Sequence, residues 1–311
     1  MKLFLSKMLR FCIPIGVCLL LLFTVGKKYA AAYRITNSYS FNEKVKYLPP
    51  PSEKQILTIG SSMSLNNLDS PLITKYFKTT NYLNTSVWGL SIMDVRGLIS
   101  VFQEMYHPKT VICVSNVMDF ATPQIQYDIV ELSSFMKTKE VKSYQWFNYC
   151  AYFLKQSFKN LLNFNTNRVY TSLVFDQWGG VPLAEKNFMT KQVRWDEELH
   201  FDTINLQAYD ALADISSYLK KKNVHFVFIQ PPVRQKIMDS VYYAAMAKHT
   251  NRVREIIESN GHTFADKSEA KYADSLFVDS AHLNSLGAKR LTQEIFQENT
   301  TSTGSTSISL K

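Results

Sequence analysis

Five short apolar runs recur along the chain, each bounded by polar or turn-forming residues. They are Gln55–Ile59, about Tyr82–Val87, Thr110–Ser115, Val224–Gln230 and about His262–Ala265. None alternates strictly between apolar and polar positions, which is the pattern of strands buried on both faces. Between the runs the period becomes helical. Asp94–Tyr106 places Val95, Leu98, Ile99, Phe102 and Met105 on one face. Leu206–Lys222 does the same with Tyr209, Leu212, Ile215 and Leu219, and closes on three lysines that suit a helix C-terminus. Asp239–Ser259 carries Val253, Ile256 and Ile257 and stops at Asn260-Gly261. A last helix is predicted from Ser285 to about Gln297. Strands alternating with helices predict an α/β fold, a parallel sheet covered on both faces in three αβα layers.

Three stretches break this rhythm. Residues 121–200 hold dense aromatics around Tyr144–Phe153, then Trp178-Gly179-Gly180 and Trp195, and read as a helical insertion over the main domain. Ordinary crossover helices with a long loop are the alternative. Residues 299–311 are rich in Ser and Thr and read as a disordered tail. At the N-terminus, Lys2, Lys7 and Arg10 precede a charge-free run from Phe11 to Val25, closed by Lys27 and Lys28. Residues 1–28 therefore read as a cytoplasmic stub and a single transmembrane anchor, with the rest of the chain exported (the domain periplasmic). The rival is a signal peptide cleaved near Ala30-Ala31-Ala32. Residues 29–54, with Pro49-Pro50-Pro51, read as a linker, and 55–298 as the globular domain.

Composition adds exclusions. The chain has 311 residues, 46% hydrophobic and 20% charged, which suits a large globular core. The net charge of +9 is spread without a Lys/Arg block, and nothing resembles a nucleic-acid-binding module. The four cysteines form neither a disulfide framework nor a zinc pattern. Cys113 and Cys150 read as buried thiols, with a bridge between them as the alternative. No metal or cofactor is expected. Asn84-Thr85-Ser86 and Asn299-Thr300-Thr301 match a glycosylation acceptor pattern that is common by chance.

In an open parallel sheet, ligands bind at the carboxyl ends of the strands, so the residues just after each run carry the chemistry. These are Gly60-Ser61-Ser62, Trp88-Gly89, Asn116 followed by Asp119, and Asp279-Ser280-Ala281-His282 before the last helix. Taken singly, each has a plain explanation. Ser62 suits a helix cap, Gly89 a turn, Asn116 a loop that bonds its own backbone, and Asp279 with His282 a cap and a surface histidine. Together, four suitable residue types follow the right strands in one order. Asp279 and His282 are spaced to lie on one side of a turn, where the carboxylate can orient the imidazole. His107, His200, His225, His249 and His262 lack such partners and read as structural or surface residues.

The set resembles the SGNH/GDSL hydrolase superfamily. Gly60-Ser61-Ser62 is similar to its first block, with Ser61 where most members carry Asp. Gly89 matches the second block and Asn116 the third, which lacks the flanking Gly and Asp. Asp279-Ser280-Ala281-His282 matches the last block in full. The resemblance implies a flavodoxin-like sheet, a catalytic set of Ser62, Asp279 and His282, and an oxyanion hole from Ser62, Gly89 and Asn116. With the N-terminal anchor, it further implies a membrane-anchored enzyme that transfers or removes O-acyl groups, acetyl above all, on an envelope or extracellular polysaccharide. Its acyl donor would come from a multispanning membrane partner. The alternative is a non-catalytic assembly or carbohydrate-binding subunit of an envelope polysaccharide complex.

Overall fold

The five apolar runs form one parallel sheet in the order β2-β1-β3-β4-β5. The computed structural model describes residues 7–8, 10–18, 20–21, 36, 38–138, 173–183, 201 and 204–301. The strands are β1 (Ile56–Thr58), β2 (Tyr82–Asn84), β3 (Thr110–Val114), β4 (His225–Gln230) and β5 (Thr263–Asp266). Ile56 pairs with both Tyr82 and Thr110, Thr110 with His225, and Val227 with Thr263. The chain steps outward from β1 to β2, then returns to the other side of β1 as β3. The strand order therefore reverses at β1 and β3, the position where such sheets bind ligands.

Helices cover both faces. Ile56, Ile112, Val114, Val227 and Ile229 share one apolar cluster with Ile73, Leu291 and Ile295. Ile73 belongs to the helix Ser70–Tyr76, and Leu291 and Ile295 to Ser285–Thr301, and these two helices pack together. The alternate strand residues Leu57, Val111, Phe226 and Phe228 are also fully buried and point to the opposite face. The helices Ile92–Tyr106, Gln207–Lys221 and Ser240–Glu258 pack in succession. The sequence expectation of a parallel αβα sheet holds.

Element ends differ from the periodicity in ways that local hydrogen bonds explain. The second strand stops at Asn84 rather than Val87 because the Asn84 side chain accepts from Ser86 N–H at 2.9 Å and turns the chain. The helix expected from Asp94 begins at Ile92. Ser91 is its cap, and Asp94 closes a reciprocal capping box with it. The last helix runs through Thr301, past the expected end at Gln297. Within the expected linker, Tyr39–Tyr47 is helical. Ser52 and Lys54 donate to Met105 and Tyr106 carbonyls, so the proline-rich stretch lies on the domain.

The chain divides into two units, residues 47–125 with 169–311, and residues 1–46 with 126–168. The first holds the whole sheet. In the second, Thr36 and Tyr127 form an antiparallel bridge, Phe41 stacks on Tyr127, and Ile129–Thr138 is helical. The expected insertion, 121–200, thus contributes one described helix and an irregular stretch over 173–183. Most of its aromatic segment, with Cys150, Trp195 and His200, lies outside the described residues. Cys113 is a free, buried thiol. Residues 10–18 are helical and expose Phe11, Ile13, Ile15 and Val17. No helix among the described residues is long and apolar enough to cross a membrane.

Candidate active site

The turn after β1 is built around Gly60. Its φ of +152° is one that side-chain-bearing residues rarely adopt, and a Cβ here would collide with the Ser64 hydroxyl. That hydroxyl is committed to β3, accepting from Val114 N–H at 2.7 Å and donating to the Val114 carbonyl at 2.8 Å. The turn is therefore pinned between two strands. Ser61 caps the short helix Ser62–Asn66 by accepting from Met63 N–H at 3.1 Å. Ser62 is the first residue of that helix and partly exposed.

The block before the last helix comes back to this point. His282 Nε2 lies 2.8 Å from Ser62 Oγ. His282 Nδ1 lies 2.7 Å from Asp279 Oδ2. The other Asp279 oxygen accepts from the backbone N–H groups of Ala281 and His282, at 2.9 and 2.7 Å. Burial alone would raise the Asp279 pKa. The His282 charge and these hydrogen bonds outweigh it, and the carboxyl titrates below the usual carboxylate range. The three groups form one chain from a half-open hydroxyl to a buried carboxylate.

The remaining expected residues lie around the same strand ends. The loop after β2 runs beside the Ser62 turn, with Val87 N–H bonded to the Gly60 carbonyl at 3.1 Å. Gly89 follows with φ of +73° and open space where a Cβ would stand. Asn116 follows β3 and caps a short turn by accepting from Met118 N–H at 2.9 Å. Its side-chain nitrogen lies 3.4 Å from the Met63 sulfur, a weak acceptor. Asn84 of the first glycosylation pattern is buried and donates to the Ser64 carbonyl at 3.0 Å, so its amide is part of the fold. His225 and His262 bond within the domain, as expected of structural residues. Among the described residues no cluster of His, Cys, Asp and Glu is suited to hold a metal.

The arrangement is a Ser62–His282–Asp279 hydrogen-bonded triad at the carboxyl ends of the strands. The four blocks surround the β1/β3 switch point in the order they take along the chain. A profile described as "DltD protein" matches residues 186–297, roughly a third of the chain, including Asp279 and His282 but not Ser62. Among solved structures, the chain is similar to a putative acylhydrolase from Bacteroides fragilis, at 12% identity and a TM-score of 0.39, covering 86% of this chain and 97% of that one. It is similar to the acetylxylan esterase Axe2 from Geobacillus stearothermophilus, at 11% identity and a TM-score of 0.42, covering 80% and 94%. It is also similar to LAE5, an α/β hydrolase enzyme from the metagenome of Lake Arreo, Spain, at 11% identity and a TM-score of 0.43, covering 81% and 96%. None of the curated proteins compared with the chain matches it.

Two residues to which the sequence reading gave no role shape this site. Asn67, just past the helix Ser62–Asn66, accepts from Leu283 N–H at 2.9 Å and lies 3.4 Å from the Ala281 carbonyl through its nitrogen. It clamps the loop on both sides of His282. Nothing in the sequence marks it, because the partners are more than two hundred positions away. Asn67→Ala leaves two buried backbone groups unpaired. It is expected to lower stability by about 1–3 kcal/mol and turnover by about tenfold or more, as read by thermal melting and ester hydrolysis.

Asp119 is the second. Burial pushes its carboxyl up to about 6, against hydrogen bonds from Ser61, Ser115 and the Asn116 backbone and the charge of His282. The folded chain then holds a proton on Asp119 that the unfolded chain releases, over a window from about pH 4 to 6. Stability from this group is full below that window and is lost as pH rises through it. Asp119→Asn is expected to remove that loss, so the stability difference between variant and wild type changes by on the order of 3 kcal/mol across the window. Denaturant titrations at stepped pH read it directly.

Proposed function

We propose that the chain is a serine-dependent O-acyltransferase or esterase, acting on a cell-envelope or extracellular polysaccharide through an acyl-Ser62 intermediate. The observation that carries this is the continuous hydrogen-bond chain Ser62–His282–Asp279. Ser62 Oγ attacks the acyl carbonyl while His282 Nε2 takes its proton. Asp279 holds the Nδ1 proton and stabilises the imidazolium. The oxygen that becomes negative is stabilised by N–H groups of Ser62 and Gly89 and by the Asn116 amide, which turns from the weak Met63 acceptor to a charged one. The alcohol of the donor ester leaves with the proton from His282. In the second half, His282 deprotonates water or a sugar hydroxyl, which attacks the acyl-serine and releases it.

The acceptor reading rests on the N-terminal segment. Basic residues before an apolar helix with exposed Phe11, Ile13, Ile15 and Val17 support attachment to a membrane. Anchorage suits a polymer-modifying enzyme supplied with acyl donor at the membrane, by a multispanning partner, better than a freely diffusing esterase. The domain then lies on the outer side of the cytoplasmic membrane.

The test uses the full-length chain in detergent, an activated acetyl ester and a panel of polysaccharides. The reading expects O-acetyl groups on at least one polymer by NMR, at the expense of free acetate. Rapid acetate release unchanged by every polymer favours a simple esterase. Neither product, with Ser62 unreactive, favours the non-catalytic subunit.

A further inference from the structure

We infer that Asp119 supplies, from the loop after β3, the carboxylate that the first block lacks, and that it positions the nucleophile turn against the asparagine turn. The inference rests on the reading of Ser62 as the nucleophile.

Ser61 stands next to Ser62, where members of the resembling superfamily mostly carry Asp. A carboxylate is present there all the same, reaching across from the neighbouring strand end. Asp119 Oδ2 accepts from Ser61 Oγ at 2.8 Å and from the Asn116 backbone N–H at 3.3 Å. One oxygen atom thus joins the turn that carries Ser62 to the turn that carries Asn116, across the point where the sheet order reverses. The direction of the Ser61 bond is set. Above about pH 6 Asp119 is ionised and accepts only, so the Ser61 hydroxyl donates to it, and the Ser61 lone pairs remain for Met63 N–H at 3.1 Å. The tie is sealed from water, with Asp119 at 7% exposure and Ser61 and Asn116 at 2%.

The tie matters because the two turns carry different parts of one machine. Ser62 brings the nucleophile and one N–H donor, and Asn116 brings the side-chain amide. The β1–β3 ladder ends at Thr58–Ile112, short of both turns; Ser64 pins the base of the first turn to Val114, and Asp119 ties its Ser61 end to Asn116. Asp119 touches neither Ser62 nor His282 by any of its hydrogen bonds, so it is a positioning residue. A displacement of about 1 Å between reacting groups lowers rate by about a hundredfold.

The test measures kcat and KM for an activated acetyl ester, and the rate of Ser62 labelling by a fluorophosphonate, in the full-length chain. Asp119→Asn is nearly isosteric and keeps one acceptor. It is expected to lower kcat and labelling about tenfold, and Asp119→Ala about a hundredfold, with KM within about threefold of wild type. Ser61→Asp alone sets two buried carboxylates against each other and is expected to lose about a hundredfold or more. Adding Asp119→Asn to Ser61→Asp restores one carboxylate with a neutral partner in the reversed order, and is expected to recover at least about tenfold of that loss. A merely structural role predicts no such recovery in kcat.

Wild-type kcat in both Asp119 variants overturns the inference, as does a double variant no better than Ser61→Asp. If Asp119→Asn does not fold, the comparison of Ser61→Asp with the double variant decides alone. A wild-type chain that neither turns over nor labels overturns the underlying reading of Ser62, and this inference with it. An active wild type with indifferent Asp119 variants overturns this inference only.

Discussion

Ser62→Ala is expected to lower turnover of an activated acyl ester by about 10⁴-fold or more, with folding intact. The size follows from the division of labour in the site. In the proposed reaction Ser62 Oγ is the atom to which the acyl group bonds, and no neighbour replaces it. Ser61 is the adjacent hydroxyl in the chain, but it is held by Asp119 and by Met63 N–H and sits at 2% exposure. Ser64 is committed to Val114 on both sides. Stability should barely change, because Ser62 is partly exposed and, among the described residues, its hydroxyl bonds only to His282. The check is paired, ester kinetics beside a thermal melt. Loss of activity in Ser61→Ala but not in Ser62→Ala would reverse the assignment.

Asp279→Asn is expected to cost about 10⁴-fold in kcat while keeping the loop in place. The asparagine oxygen can still accept from the Ala281 and His282 backbone N–H groups, as Asp279 Oδ1 does at 2.9 and 2.7 Å. Its amide nitrogen, however, would face His282 Nδ1 as a donor. The imidazole is then driven to carry its proton on Nε2, where it cannot take one from Ser62. A pH signature accompanies the change. The Asp279 pKa is depressed in the fold, so its stabilising effect is present above the ordinary carboxylate pKa and is lost as pH falls through the lower folded value. Acid unfolding of the variant should lack that contribution, which stepped acid titrations with a fluorescence readout measure.

The sheet and the gathering of Ser62, Gly89, Asn116, Asp279 and His282 around one sheet edge were legible in the sequence for the same reason. Buried parallel strands are written as continuous apolar runs, and the residues that follow them must lie at one edge of the sheet. Once Ile56–Thr58, Thr110–Val114 and their partners are strands, Ser62, Gly89 and Asn116 can only collect at their carboxyl ends. The pairing of Asp279 with His282 is local, three positions apart, and so is readable from spacing. What sequence pattern did not yield are the contacts made at long range by ordinary polar residues. Asn67 reaches the His282 loop, and Asp119 reaches Ser61, through side chains whose identity says nothing about distance. Asp119 did leave a trace, the Asn116-x-x-Asp119 capping spacing after β3. That trace marks a turn and not a tie between two loops. Boundaries were missed by capping for a related reason. Ser91 and Asn84 end or begin elements with single side-chain hydrogen bonds that periodicity does not register.

The central claim is that Ser62 becomes acylated. The most direct measurement is the intact mass of the full-length chain after brief exposure to an activated acetyl ester and an acid quench, with the adduct located by peptide mapping. The account predicts one added acetyl group on the peptide carrying Ser62, absent in Ser62→Ala and accumulating more slowly in Asp279→Asn. An unmodified chain, or an acetyl group on any other residue that persists in Ser62→Ala, would contradict it.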